Sequence, residues 1–365
     1  MTDHTRWMDA ALAMGRRGLG RVWPNPAVGC VIVSQGRVVG RGRTADGGRP
    51  HAEAVALAQA GHAAQGATAY VTLEPCAHHG KTPPCVDALI AAGIARVVLA
   101  LRDPDPRVDG GGIARLRAAG IDVVEGIGTG PARDLHAGFL SRVTTGRPLL
   151  TLKLATTLDG RIATASGESR WITGPAARRH VHGERATHDA VMVGAGTARA
   201  DDPRLTIRGH GDRPQPVRIV VSRRLDVPME SALTTSTDIG PVWMLHGPDA
   251  PDTRRAALSA RGVVLLETPT GPSGYTDPGQ LLTTLGGHGL TRVYCEGGGA
   301  LAASLLGSNL VDRMDCYTAG AAIGAEGTPA LGAMGIASLS EAPRLTLVEA
   351  RQVGTDVLHR WRKAP

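Results

Sequence analysis

Three short segments, His51-Ala52-Glu53, Pro75-Cys76 and Cys85, constrain the fold of this 365-residue chain more than any other feature. One imidazole and two thiolates make three ligands of a tetrahedral Zn²⁺ site, and a fourth position left open to water is the arrangement of a catalytic rather than a structural zinc. HAEAVALAQA at 51–60 predicts a helix with His51 at its N-terminus and Glu53 in its first turn. ATAYVTL at 67–73 predicts a strand that runs into Glu74-Pro75-Cys76, and Cys85 opens another helix, VDALIAAG. Two helix starts at the carboxyl edge of a sheet form a common ligand crevice, and their dipoles favour thiolate over thiol.

The rest of the first half supplies such a sheet. Residues 6–17 form an amphipathic pattern with Met8, Ala11, Leu12 and Met14 on one side, and a hairpin follows from 27–33 and 37–42. ARVVLAL, a GGGIARLRAAG helix and IDVVEG complete a strand–helix alternation, which predicts an α/β sandwich with a mixed or largely parallel sheet. Residues 126–148 read as a closing helix and linker, placing the boundary between domains 1–146 and 147–365. Strands are expected in the second half at 149–154, 190–194, 217–221, 242–245, 263–266, 292–295 and 314–319, with helices between several and a Pro/Gly/Thr loop at 268–279. With one Phe, four Tyr and five Trp, the cores must be built from Ala, Val, Leu and Gly.

A net charge of +7 suits anionic substrates such as phosphates. The basic residues are dispersed, which is poor support for nucleic acid. Five cysteines in a chain this long do not read as a disulfide framework. Cys30, Cys295 and Cys316 sit in apolar runs as small core residues. No apolar run approaches eighteen residues, so neither a membrane span nor a secretory leader is expected, and a reducing cytoplasmic setting follows.

An isolated H-x-E is usually a solvated helix start, and an isolated pair of cysteines with eight residues between them is also weak. Together, with Pro before the first Cys, a strand ahead of it and a helix after the second, they match the H-x-E…P-C-x-x-C pattern of zinc nucleobase deaminases, except for the wider cysteine spacing. The chemistry expected is hydrolytic loss of an exocyclic amine from a ring carbon. Glu53, not itself a ligand, would take a proton from water and pass it to the ring nitrogen and the departing ammonia.

PNPAVGCVIV, GGRPHAEAVAL, GATAYVTLEPCAHHGKTPPCVDALI, GIARVVLALRDPDP, LKLATTLDGRIATASGESRWITG, GTARADDPRLTIR and CEGGGALAASLL spread over nearly the whole chain. On these segments the chain resembles the fused bacterial deaminase/reductase of riboflavin biosynthesis. The resemblance implies a cytidine-deaminase-like α/β/α sandwich followed by a dihydrofolate-reductase-like α/β domain. It makes the long loop AHHGKTPP between the zinc cysteines normal, since it helps hold a phosphoribosyl-pyrimidine. It implies a pyrimidine contact for Asn25, a loop of His78, His79 and Lys81 lining the substrate site, and reach to substrate for Asp103 and Asp105. Trp23, Val55 and Ala77 depart from residues common in relatives and leave fine substrate contacts open.

The second half lacks a G-x-G-x-x-G between an early strand and helix. Glu296-Gly297-Gly298-Gly299, between the strand RVYC and the helix ALAASLL, is a simple turn unless its N–H groups cradle a pyrophosphate. The resemblance selects the cradle and implies NADPH as the cofactor, reducing the ribose of the deaminated pyrimidine to a ribityl chain. It implies that Lys153 and Asp201 position and protonate the sugar. Ser169, Arg185, Leu205, Arg208 and Glu296 become the substrate shell, with Arg185 and Arg208 suited to a phosphate. Ala155, Trp171, Thr197, Asp201 and the segment Gly298, Gly299, Ala300, Leu301, Ala302, Ala303 and Ser304 become the cofactor shell. Without it, Asp201 and Asp202 read equally well as a turn or cap. Relatives often dimerise through the reductase half.

The expected function is hydrolytic deamination of 2,5-diamino-6-(5-phosphoribosylamino)pyrimidin-4(3H)-one, then NADPH-dependent reduction to 5-amino-6-(5-phosphoribitylamino)uracil. A nucleic-acid-editing deaminase with an RNA-binding second half is opposed by the dispersed charge and scarce stacking aromatics. A non-catalytic phosphoribosyl sensor is opposed by retention of His51, Glu53, Cys76 and Cys85.

Overall fold

The computed structural model describes residues 3–78, 83–106, 108–271 and 276–364. His79 and Lys81 lie outside them. The chain separates into two compact units, Met1–Gly146 and Arg147–Pro365.

The first unit runs α1 (Asp3–Arg16), β1 (Gly29–Ser34), β2 (Arg37–Arg43), α2 (Ala52–Ala60), β3 (Thr68–Val71), α3 (Cys85–Ala91), β4 (Arg96–Leu99), α4 (Gly111–Ala118), β5 (Asp122–Val124) and α5 (Thr129–Thr145). The sheet order is β2-β1-β3-β4-β5. β1 pairs antiparallel with β2 and β3, and β3, β4 and β5 are parallel. Its two faces are identified by close approaches. A Cβ on Gly29 would lie 1.9 Å from the Ala11 carbonyl of α1, and one on Gly42 would lie 2.3 Å from the Ala52 carbonyl of α2. Gly42 is paired with Cys30, the neighbour of Gly29, so these two glycines point to opposite sides. α1 therefore packs on one face and α2 on the other, a three-layer sandwich whose core is Ala, Val, Leu and Ile with Tyr70 and Phe139.

The second unit contains β6 (Leu149–Thr157), β7 (Arg161–Ala163), α6 (Pro175–Arg185), β8 (Ala190–Gly194), α7 (Ala195–Asp201), β9 (Val217–Val221), β10 (Val242–His246), α8 (Asp252–Ser259), β11 (Val264–Glu267), α9 (Pro278–Gly287), β12 (Arg292–Cys295), α10 (Gly299–Gly307), β13 (Arg313–Ala319), β14 (Thr328–Pro329), β15 (Leu345–Val353) and β16 (Asp356–Lys363). Nine strands form one sheet in the order β11-β10-β9-β8-β12-β6-β13-β16-β15. The seven strands expected in this half are all present. They pair in parallel, and their near-continuous apolar runs reflect burial on both faces. The C-terminal hairpin β15–β16, which pairs antiparallel with itself and with β13, was not expected. β15 exposes most of its residues and alternates charge with apolar side chains, so its sequence carries no core signal.

Among the described residues no helix is long and apolar enough to cross a membrane.

Candidate active sites

In the first unit the chain delivers each ligand from the start of an element or the end of one. Pro50 precedes His51, which stands extended (φ −72°, ψ 161°) at the N-cap of α2. Pro84 caps α3, so Cys85 is its first helical residue and its N–H has no partner within the helix. That N–H donates to Sγ of Cys76 at 3.3 Å. Cys76 follows the end of β3, and the loop carrying it is anchored by Glu74. The buried Glu74 carboxylate accepts the N–H groups of Asp103 (3.3 Å), Gly110 (3.2 Å), Gly112 (2.9 Å) and Ile113 (3.1 Å). Glu74 thereby caps α4 and fixes the Pro-Cys turn together, a role the sequence reading missed. The only hint was a carboxylate directly before Pro-Cys, with a glycine-rich helix start 36 residues on.

Zinc bonds of about 2.3 Å to sulfur and about 2.0 Å to nitrogen at tetrahedral angles place ligand atoms about 3.5–3.8 Å apart. Nδ1 of His51 lies 3.3 Å from Sγ of Cys85 and 3.7 Å from Sγ of Cys76, and all three atoms lie within 4.8 Å of one another. The residues fit the metal, with Nδ1 as the coordinating nitrogen. A donor from Cys85, with help from His51, pulls the Cys76 thiol down to about 4, while Cys76 and burial push Cys85 up. Glu53 is 3% exposed. Burial pushes its carboxyl up to about 7, reinforced by the nearby Cys76 charge and opposed by its own N–H and by His51.

The remaining predicted residues of this unit are placed as follows. Nδ2 of Asn25 donates to the Gly48 carbonyl at 3.2 Å, tying the PNP turn to the loop ahead of His51. Nδ1 of His78 is buried with no hydrogen-bond partner among the described residues. Asp103 and Asp105 are buried and build their own loop, the Asp105 N–H donating to Oδ1 of Asp103 at 2.9 Å. Trp23, Val55 and Ala77 are all partly exposed, and the Ala77 carbonyl accepts Nη1 of Arg115 at 2.8 Å.

In the second unit, Lys153 of β6, Arg185 at the end of α6, Glu296 after β12 and Asp201 at the end of α7 converge within electrostatic reach. Arg185 donates to both oxygens of Glu296, through Nε to one and through Nη2 to the other at 2.9 Å, and its Nη1 donates to the Thr206 carbonyl at 2.8 Å. Its fork, expected to grip a phosphate, thus holds Glu296 and the chain at Thr206. Burial alone would raise the Glu296 carboxyl, but Arg185, followed by Lys153 and His182, holds it down at about 2. Burial, aided by Arg185, lowers the Lys153 ammonium, against the pull of Glu296 and Asp201. Arg208 is exposed, and its N–H donates to Nδ1 of His182 at 3.3 Å, a neighbour the sequence reading did not single out. Asp202, not Asp201, is the turn residue: it closes α7 at φ 42° and accepts the Ala232 N–H at 2.7 Å.

Gly297 and Gly298 take φ 98° and 88° between β12 and α10. The Gly297 carbonyl accepts the Gly194 N–H at 3.1 Å, and a Cβ on Gly298 would lie 3.0 Å from Oγ1 of Thr197. Gly299 opens α10. Ala302 and Ala303 face the core, Leu301 lies against Gly194, and Ala300 and Ser304 are exposed. Ala155 shares the sheet face of Lys153. Leu205 is buried at φ 54°. Trp171, two residues after the half-buried Ser169, is exposed with the Arg178 guanidinium 4.6 Å from its ring centroid.

Fold and geometry define a two-unit enzyme, a zinc-binding deaminase unit followed by an α/β reductase unit that fits a nicotinamide nucleotide. The family model for the cytidine and deoxycytidylate deaminase zinc-binding region matches residues 1–101, and that for the RibD C-terminal domain matches 148–359. The riboflavin biosynthesis protein RibD of Escherichia coli is 41% identical over 361 residues, covering 96% of this chain and 97% of its own. RibD of Aquifex aeolicus is 39% identical over 352 residues, covering 96% of each. A solved structure of Acinetobacter baumannii RibD superposes with TM-score 0.89 at 39% identity, covering 100% of this chain and 99% of its own. The Thermotoga maritima diaminohydroxyphosphoribosylaminopyrimidine deaminase/5-amino-6-(5-phosphoribosylamino)uracil reductase superposes with TM-score 0.86 at 32% identity, covering 99% of each chain. The chain belongs to the RibD family of riboflavin biosynthesis, bifunctional enzymes that combine a deaminase with a reductase.

Proposed function

We propose that residues 1–146 deaminate 2,5-diamino-6-(5-phosphoribosylamino)pyrimidin-4(3H)-one and that residues 147–365 reduce the product's ribose to give 5-amino-6-(5-phosphoribitylamino)uracil. The observation that carries this is the convergence of His51, Cys76 and Cys85 beside the buried Glu53. Zn²⁺, when bound, lowers the pKa of a coordinated water toward neutrality. Replacing the ring amine by oxygen requires one water in and one ammonia out. Glu53 accepts one proton of the water and delivers it to the ring nitrogen, then accepts the second from the hydroxyl now on the ring carbon and delivers it to the leaving amine, a task suited to a carboxyl near neutrality. His78, whose Nδ1 has no partner among the described residues, and Asn25 orient the pyrimidine, and the resemblance assigns Lys81 to its phosphoribosyl arm.

In the second unit NADPH, when bound, supplies the hydride delivered to C1 of the opened sugar. Lys153 and Asp201 hold the sugar and supply the proton its oxygen gains. Glu296, fixed by Arg185, orients the hydroxyls alongside Ser169 and Leu205, and Arg208 takes the phosphate. Trp171, Ala155, Thr197 and the 298–304 backbone hold the nucleotide. Self-association through the second unit belongs to the same proposal, supported by the exposed Leu347, Val348 and Val357 of the terminal hairpin. The five unpaired cysteines support a cytoplasmic location.

A coupled assay on the full chain tests the assignment. Chelation should stop ammonia release while leaving NADPH oxidation on pre-deaminated substrate intact, and Asp201→Ala should do the reverse. Loss of both activities under either treatment would contradict two independent sites.

A further inference from the structure

The Leu158–Ala163 segment takes no part in the chemistry above, yet it grips the chain at 321–330 through consecutive residues. The Leu158 N–H donates to the Ala321 carbonyl at 2.7 Å, the Ala330 N–H donates to the Gly160 carbonyl at 3.0 Å, and β7 pairs with β14. At the centre is Asp159. Its carboxylate accepts the N–H groups of Gly324 (2.7 Å) and Ile323 (3.2 Å) and the Thr157 hydroxyl (2.5 Å). Nε of Arg161 donates to the Gly324 carbonyl at 2.8 Å. The far end of this gripped segment lies against the glycine loop. The Gly332 N–H donates to the Gly299 carbonyl at 2.9 Å, and a Cβ on Gly299 would lie 3.2 Å from the Pro329 carbonyl. Gly297–Gly299 is thus held between the end of β8 and the start of α7, through Gly194 and Thr197, and the 329–332 backbone.

Pro329, Ala330 and Leu331 line an open pocket of about 340 Å³ together with Leu154, Thr156, Cys316 and His359. The hydrogen bonds at the edges of this stretch therefore contribute to fixing its position.

We propose that Asp159 is a positioning residue for the nicotinamide nucleotide: it fixes the 321–332 segment, which in turn sets the Gly297–Gly299 cradle. This rests on the assignment of 298–304 to the cofactor. Asp159 is exposed and bound to backbone N–H groups, so its removal displaces the strut without emptying a core.

The test is steady-state kinetics of the full chain with Asp159→Ala, Asp159→Asn and Gly299→Val. A cradle displaced by a fraction of an ångström should raise the KM for NADPH between about 10- and 100-fold in Asp159→Ala. kcat at saturating NADPH and ammonia release should stay unchanged, the pattern of lost ground-state binding. Asp159→Asn, which keeps one acceptor oxygen, should give a smaller rise. Gly299→Val, which drives a side chain onto the Pro329 carbonyl within the cradle itself, should also raise the KM for NADPH. If Gly299→Val raises KM and the Asp159 variants do not, the strut role is overturned while the cofactor assignment stands. If neither position moves KM, the cofactor assignment itself fails. A fall in kcat at unchanged KM in Asp159→Asn would also overturn the role.

Discussion

Glu53→Gln should bind zinc at the wild-type stoichiometry and release ammonia at least about 10²-fold, and up to about 10⁴-fold, more slowly. Gln matches the shape of Glu and leaves His51, Cys76 and Cys85 in place, so the metal site keeps its ligands. It cannot accept a proton from water at neutral pH. Because Glu53 is buried, bulk water cannot easily substitute as the carrier. NADPH oxidation on pre-deaminated substrate should be untouched. Ammonia release at the wild-type rate in a zinc-loaded Glu53→Gln protein would remove Glu53 from the mechanism.

Arg185→Ala should abolish reduction and destabilise the second unit while ammonia release continues. The substitution strips both oxygens of Glu296 of their charged partner and frees the Thr206 carbonyl. Removing one member of a buried pair costs about 3–5 kcal/mol, which for a unit of this size lowers Tm by about 6–20 °C. The pH dependence follows from Glu296. Its folded pKa of about 2 lies below the ordinary glutamate value of about 4.3. The pair's contribution is therefore complete above about pH 4.3 and is lost as pH falls toward 2. The wild type should show an acid-side loss of stability in that window that the variant lacks. A variant with wild-type Tm and reductase activity would contradict the role given to the pair.

Much of both sites was legible because their chemistry fixes residue types. A zinc ion that must keep one open position needs His and Cys at particular starts and ends of elements, and those positions fell where the periodicity placed them. The parallel strands of the second unit were legible because burial on both faces leaves apolar runs such as AVMVG. What could not be read depends on partners distant in sequence. Arg185 and Glu296 are 111 residues apart, and nothing local to either says that the guanidinium serves a carboxylate rather than a phosphate. Glu74 looks like part of a Glu-Pro-Cys turn until the N–H groups of 103–113 are folded over it. The choice of Nδ1 over Nε2 in His51 depends on the side-chain torsion and has no sequence signal. The β7–β14 pair is too short for a period, and the terminal hairpin mixes charge into both strands.

The most direct measurement is the zinc content of active, chelator-free protein, set against that of Cys85→Ser. The geometry of His51, Cys76 and Cys85 predicts about one zinc per chain in the wild type, and loss of metal together with ammonia release in the variant. Full ammonia release from protein without stoichiometric zinc would contradict it.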